Sequence, residues 1–278
     1  MTSEYAKNST RPVRIAAVSF INTVPLIDGL EDDPSINLTK SVPSALLSRL
    51  EQQKVDVALI PSIDYQTART DLRIIRAGAI GSLTQSLTVR IFSRKPISEL
   101  KTLACDTDSH TSVFLARILL KEIYNIDPDV TRITCVGNTV STDTDAVLLI
   151  GDKVITAKIE APLKKFQLDL AESWRKFTGM GFVFAVWACL PQFQAEIVAL
   201  TLKRTLKNNL RDIDGLVEKY ALQHNWPKPA ARKYLTENMY YLLDHKQLTG
   251  LRLFYSLAYK HGLIRRQRTI RFAEIHSW

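Results

Sequence analysis

Residues 13–18 (Val-Arg-Ile-Ala-Ala-Val) form a near-continuous apolar run, the pattern of a buried strand. The run breaks at Ser19-Phe20-Ile21-Asn22-Thr23. Pro25 then suits the first turn of a short helix, where its missing N–H is not needed. A second strand over 38–42 stops at Pro43, and Ser44 is placed to cap a helix running to about Gln53. A third buried strand, 56–60, leads through Pro61-Ser62 to a helix from about Ile63. Strand, turn and helix repeated in this order predict a parallel sheet with crossover helices. Such sheets carry ligand sites at the carboxyl ends of their strands. Here those ends are 19–23 and Pro61-Ser62.

Polar and apolar residues alternate over 83–93, as in a partly exposed strand. A new unit follows Pro96: strand 102–105, turn 106–110, helix 111–124, and a strand over 145–150 broken at Gly151-Asp152. A helix over 171–177 ends at Gly179, and a strand covers 182–187. From Gln194 the pattern turns helical, at 194–210, 213–224 and 230–259. The pattern alone gives an α/β chain.

Composition alters this picture little. The 278 residues suffice for one large domain or two modest ones, and 46% hydrophobic with 23% charged residues excludes wholesale disorder. No apolar run approaches the roughly 20 residues that span a bilayer. The N-terminus is polar and without a secretory pattern, so the expected location is the cytoplasm. Cys105, Cys135 and Cys189 lie in apolar segments without metal-ligand spacing and read as buried thiols. The net charge of +9 favours acidic partners. Its excess near the C-terminus lies on or beside helices with no interleaved aromatics, which argues against nucleic acid.

Standard catalytic signatures are absent: no phosphate loop, no His-Glu-x-x-His, no Cys-x-x-Cys and no nucleophile elbow. Four histidines (His224, His245, His261, His276) fall in the C-terminal helical part and read as surface or capping residues. What remains is a set of hydroxyl-rich turns. Asp108-Ser109-His110-Thr111-Ser112 opens the helix over 111–124, either as a plain N-cap or as a carboxylate site. Asn22 is either a ligand-binding amide or an Asx-turn, and Ser86 faces either a cleft or solvent.

Taken together these segments resemble the chorismate dehydratases that open the futalosine route to menaquinone. The likeness rests on 14–26 around Ser19-Phe20-Ile21-Asn22, on Val42-Pro43-Ser44, on Asp56 through Ser62, and on the strand holding Ser86. It continues through Asp106 to Ser112, 149–152, Asp169 through Trp174, Thr178-Gly179 and 182–188. The resemblance implies a two-lobed, type II periplasmic-binding-protein-like fold with a hinge and an interlobe cleft. Lobe one would be residues 1–93 with 185–278, and lobe two residues 94–184. It also implies conversion of chorismate to 3-[(1-carboxyvinyl)oxy]benzoate and water, with no cofactor, metal or membrane. Carried over by motif, Asn22 and Ser86 become the catalytic polar residues. Ser109, Thr111 and Ser112 become a carboxylate clamp, with Ser62 on the first-lobe side. Ala16, Phe20 and His110 depart from the commoner Gly, Tyr and Arg. Asp106, Asp108 and Asp152 are expected in structural roles. Two alternatives stand beside this reading: the sister 1,4-dihydroxy-6-naphthoate synthase, and a non-catalytic binder of small carboxylates. A ligand-sensing regulator would need a DNA-binding module, and none is recognisable.

Overall fold

The structure, a computed structural model, describes residues 11–133 and 139–273; Cys135 and His276 lie outside them. In chain order the first strands are β1 (Val13–Val18), β2 (Ile36–Ser41), β3 (Val57–Pro61) and β4 (Arg73–Ser82). Then come β5 (Val89–Ser93), β6 (Thr102–Asp106), β7 (Asp129–Ile133), β8 (Thr139–Val140), β9 (Ala146–Ile150), β10 (Lys158–Ile159), β11 (Phe166–Asp169) and β12 (Phe182–Cys189). The helices are α1 (Val24–Ile27), α2 (Pro43–Glu51), α3 (Asp64–Thr67), α4 (Thr111–Tyr124), α5 (Lys153–Thr156) and α6 (Leu170–Thr178). The C-terminal part adds α7 (Glu196–Asn209), α8 (Ile213–Tyr220), α9 (Lys228–Lys233) and α10 (His245–Lys260).

Two five-stranded sheets result, ordered β2-β1-β3-β12-β4 and β11-β5-β9-β6-β7. In the first, β1 runs parallel to β2 and β3, while β12 runs antiparallel to β3 and β4. In the second, β6 is parallel to β7 and β9, and β5 is antiparallel to β9 and β11. Central strands β3 and β9 are buried at every residue, which is why each reads as an unbroken apolar run. Trp174 of α6 packs edge-on against Phe182 of β12 at 5.4 Å and Phe254 of α10 at 6.2 Å, so the core continues across the crossing between the sheets.

The chain changes sheets within 83–88 and within 170–181, each a few residues before the expected cuts at 93 and 184. Asp169 starts the second crossing by accepting the N–H groups of Ala171 and Glu172 as N-cap of α6. Gly179 ends that helix in the left-handed conformation, φ 73°.

Three local expectations need correction. Of 83–93 only Val89–Ser93 is strand, and it belongs to the second sheet. The residues before it turn, with Leu87 at φ 59°. Helix α2 starts at Pro43, with Val42 rather than Ser44 at the N-cap; proline's fixed φ suits the first helical position. The helix expected over 230–259 is broken. Residues 239–244 run extended along the edge of β4, where Ala79 and Gly81 each donate an N–H to the Tyr241 and Tyr240 carbonyls at 2.9 Å. Unpaired edge groups outweigh helix propensity there. Strand β4 itself stood unassigned, because Gly78 and Gly81 interrupt its apolar pattern.

Candidate active site

A small cavity of about 70 Å³ opens between the two sheets. The first sheet contributes Phe20 and Asn22 after β1, Pro61 at the end of β3, and Phe184 of β12. The second contributes Ser109, His110, Thr111 and Ser112 at the start of α4, and Ile150-Gly151 at the end of β9. Thr88, from the first crossing, and Met239, from the extended C-terminal segment, complete the polar and apolar sides. The site therefore collects the carboxyl ends of parallel strands from both sheets, as expected of such topology.

Asn22 is anchored rather than free. Its amide donates to the Tyr234 hydroxyl at 3.0 Å, and that hydroxyl pairs with Thr88 Oγ1 at 2.7 Å. Tyr234 is wholly buried and stacks on Trp226 with ring centroids 4.8 Å apart. Burial raises its phenol well above the usual range despite hydrogen bonds from Thr88 and Asn22, so it stays protonated. On the opposite wall Thr111 Oγ1 accepts the Ile63 N–H at 3.2 Å, tying α4 to the turn after β3. The Ser109 and Ser112 hydroxyls have no protein partner among the described residues, and both line the cavity. Helix α4, 14 residues long, presents its positive end beside them.

Four of the six residues named from sequence thus meet in one space: Asn22, Ser109, Thr111 and Ser112. Ser62 and Ser86 do not line it. Ser62 lies one bond behind: its hydroxyl donates to the Val183 carbonyl at 2.8 Å and sits 3.4 Å from Thr111 Oγ1. The Ser86 hydroxyl is directed to the Asp169 carboxylate at 3.2 Å and also approaches the Val89 carbonyl at 3.4 Å. Asp169 holds the backbone N–H groups of Ser86 and Leu87 too, at 3.0 and 2.8 Å. Ser86 meets the cavity lining through its carbonyl, 3.4 Å from Thr88 Oγ1, and through its hydroxyl, which accepts the Val89 N–H at 3.2 Å.

Thr88, Tyr234 and Met239 escaped the sequence reading. Thr88 lies two residues beyond Ser86, and the turn at Leu87 points the later residue inward. Tyr234 and Met239 belong to the segment that read as continuous helix. Asp106 and Asp108 each bind Lys153, at 2.9 and 2.7 Å. Asp152 reaches across the sheets: it accepts the Ile21 N–H at 3.3 Å and the Trp226 indole N–H at 3.0 Å, and pairs with His224 Nδ1 at 2.8 Å. Among the described residues no group of His, Cys, Asp or Glu is arranged to hold a metal ion. No helix there is long and apolar enough to cross a membrane.

Two sheets joined by two crossings, with a cavity between them, define a periplasmic-binding-protein-like fold. Solved structures with this fold are similar: a protein of Archaeoglobus fulgidus has TM-score 0.71 at 16% identity, covering 92% of this chain and 99% of that one. The periplasmic aliphatic sulphonate-binding protein of Escherichia coli has TM-score 0.61 at 14% identity, covering 93% and 95%. Within that fold, the chain belongs to the menaquinone biosynthesis family, whose model matches residues 13–260. Curated relatives include a chorismate dehydratase of Campylobacter jejuni, 25% identical over 85% of this chain and 93% of the relative. Another, from Thermus thermophilus, is 27% identical over 88% and 94%.

Proposed function

We propose that this chain is a chorismate dehydratase acting in menaquinone biosynthesis in the cytoplasm. It converts chorismate to 3-[(1-carboxyvinyl)oxy]benzoate and water without a cofactor. Family membership and the two dehydratase relatives support the reaction class. The observation that carries the site is the meeting of Asn22 and Thr88 with Ser109, Thr111 and Ser112 around one cavity whose described lining has no Asp, Glu, Lys or Arg.

Dehydration removes a ring proton and the neighbouring hydroxyl, and aromatisation drives the step downhill. The demand on the protein is orientation and help to the leaving group rather than a strong base. We assign the proton to a carboxylate of the substrate itself. The Ser109, Thr111 and Ser112 hydroxyls, with the leading end of α4, hold the ring carboxylate. Asn22, fixed by Tyr234, and Thr88 orient the ring and its departing hydroxyl. Ser86 acts as a positioning residue, locking the first crossing to Asp169 so that Thr88 faces inward.

The cavity, at about 70 Å³, is well short of the roughly 150 Å³ that accommodates benzene. Chorismate therefore enters when the lobes part. We take the lobes to be the two sheets with their helices, turning about the crossings at 83–88 and 170–181.

Ultraviolet absorbance of chorismate mixed with purified protein tests the proposal. Loss of the diene signal with appearance of an aromatic product is the expected result. The Asn22→Ala variant is expected to lose about 100-fold in kcat. Tryptophan quenching by chorismate without any turnover would make the protein a binder and end the enzyme reading.

A further inference from the structure

His110 occupies the N-cap of α4 and lines the cavity. Its Nδ1 lies 2.8 Å from Oδ1 of Asp64, the first residue of α3 and only 1% exposed. The second carboxylate oxygen, Oδ2, is buried without a partner. A carboxylate accepts, so Nδ1 carries the hydrogen and the tautomer is fixed. The other ring nitrogen, Nε2, has no partner among the described residues. No lysine or arginine stands among the residues lining the cavity. An anion entering this apolar space gives up hydration and needs compensation.

We propose that His110, oriented by Asp64, is the charged member of an anion seat, its Nε2–H donating to a ligand carboxylate beside the start of α4. The inference deepens the dehydratase reading, and depends on that reading only for which carboxylate is bound. Asp64 follows β3 of the first sheet and His110 precedes α4 of the second, so the seat is complete only when the lobes are closed.

The surrounding charges are accounted for. The hydrogen bond to Asp64 raises the imidazole above its ordinary value, against burial and the more distant Arg132 of β7. Burial pushes the Asp64 carboxyl above its ordinary value, the hydrogen bond and charge of His110 oppose this, and Glu51 of α2 adds to the rise. Asp106 and Asp108, just before His110 in the chain, are held by Lys153. Because the folded value is raised, the charged form dominates below it. Anion binding is accordingly strong at lower pH and fades as pH rises through the His110 value.

Calorimetric titration with benzoate between pH 6 and 9 tests the seat without requiring turnover. Wild-type affinity is expected to fall by about tenfold or more across this range. His110→Gln is expected to bind about 10- to 100-fold more weakly at pH 6, with no remaining slope. His110→Arg keeps a permanent charge and is expected to bind benzoate with a flat profile, and Asp64→Asn to move the wild-type midpoint to lower pH. With chorismate, His110→Gln is expected to raise KM by more than it lowers kcat. A His110→Gln protein that binds benzoate with wild-type affinity and slope would overturn the proposal. So would a variant whose benzoate affinity is intact but whose kcat is lost, because His110 would then move a proton. Wild-type protein that leaves chorismate unchanged would end the dehydratase reading while the benzoate titration still judged the seat.

Discussion

Asn22 gives its amide N–H to a phenol that is itself locked between Thr88 and Trp226, so one hydroxyl sets the aim of two cavity side chains. Tyr234→Phe removes that hydroxyl and leaves the Asn22 donor unmatched. It is expected to lower kcat/KM by about tenfold, the effect of one lost hydrogen bond, with a cooperative thermal transition retained in calorimetry. An unchanged kcat/KM would show that Tyr234 only packs. At this scale the sequence was legible where a residue sits in the turn or helix start that follows an apolar run, as Asn22, Ser109, Thr111 and Ser112 do. At Ser86 it left the direction of the side chain open. A strand puts i and i+2 on one face, but Leu87 at φ 59° breaks the alternation, so Ser86 turns to Asp169 and Thr88 to the cavity. No local pattern discloses that Asp169, 83 residues away, has captured the hydroxyl.

Strand ends and helix starts carry the site, and two of them depend on single residues. Gly151, at φ 64° after β9, lies where an added Cβ would stand 2.9 Å from the Phe20 ring. Gly151→Ala combines that clash with a left-handed backbone and is expected to cost about 2 kcal/mol or more in urea unfolding. Adding Phe20→Ala should restore the part due to the clash. The start of β1 is held differently: Asp56 receives the Arg14 N–H and guanidinium and the Arg11 guanidinium, all within 3.2 Å. Burial opposes ionisation, but these hydrogen bonds hold the Asp56 carboxyl far below its usual range. Its stabilising contribution is therefore present above the unfolded value of about 4 and disappears as pH falls. Asp56→Asn should be less stable at neutral pH and lose less on acidification, read from melting temperatures between about pH 6 and 3. Buried elements such as β1, β3, β9 and α4 were legible because burial on both faces, or on one helical face, writes an unambiguous pattern. The β4 edge and the broken C-terminal helix were not, because each is settled by pairing with the other.

The whole molecule closes its cavity with contacts contributed from both sheets. Asp152, beyond β9, binds Ile21, His224 and Trp226 on the first-sheet side, and Thr111 binds Ile63. Asp152→Asn keeps the shape but weakens the charged contacts, and is expected to raise the chorismate KM severalfold while kcat stays above about a tenth of wild type. A variant that binds chorismate but has no turnover would contradict the assignment of the proton to the substrate. The alternation of strands and helices made the α/β class readable, whereas the position of each crossing depends on which sheet a strand joins, a long-range choice. The most direct measurement is a crystal structure of the protein with 3-[(1-carboxyvinyl)oxy]benzoate. The account predicts the ring carboxylate within hydrogen-bond distance of Ser109, Thr111 and Ser112, with Asn22 and Thr88 facing the opposite side of the ring. A product molecule seated outside the space between the sheets, with these side chains untouched, would contradict it.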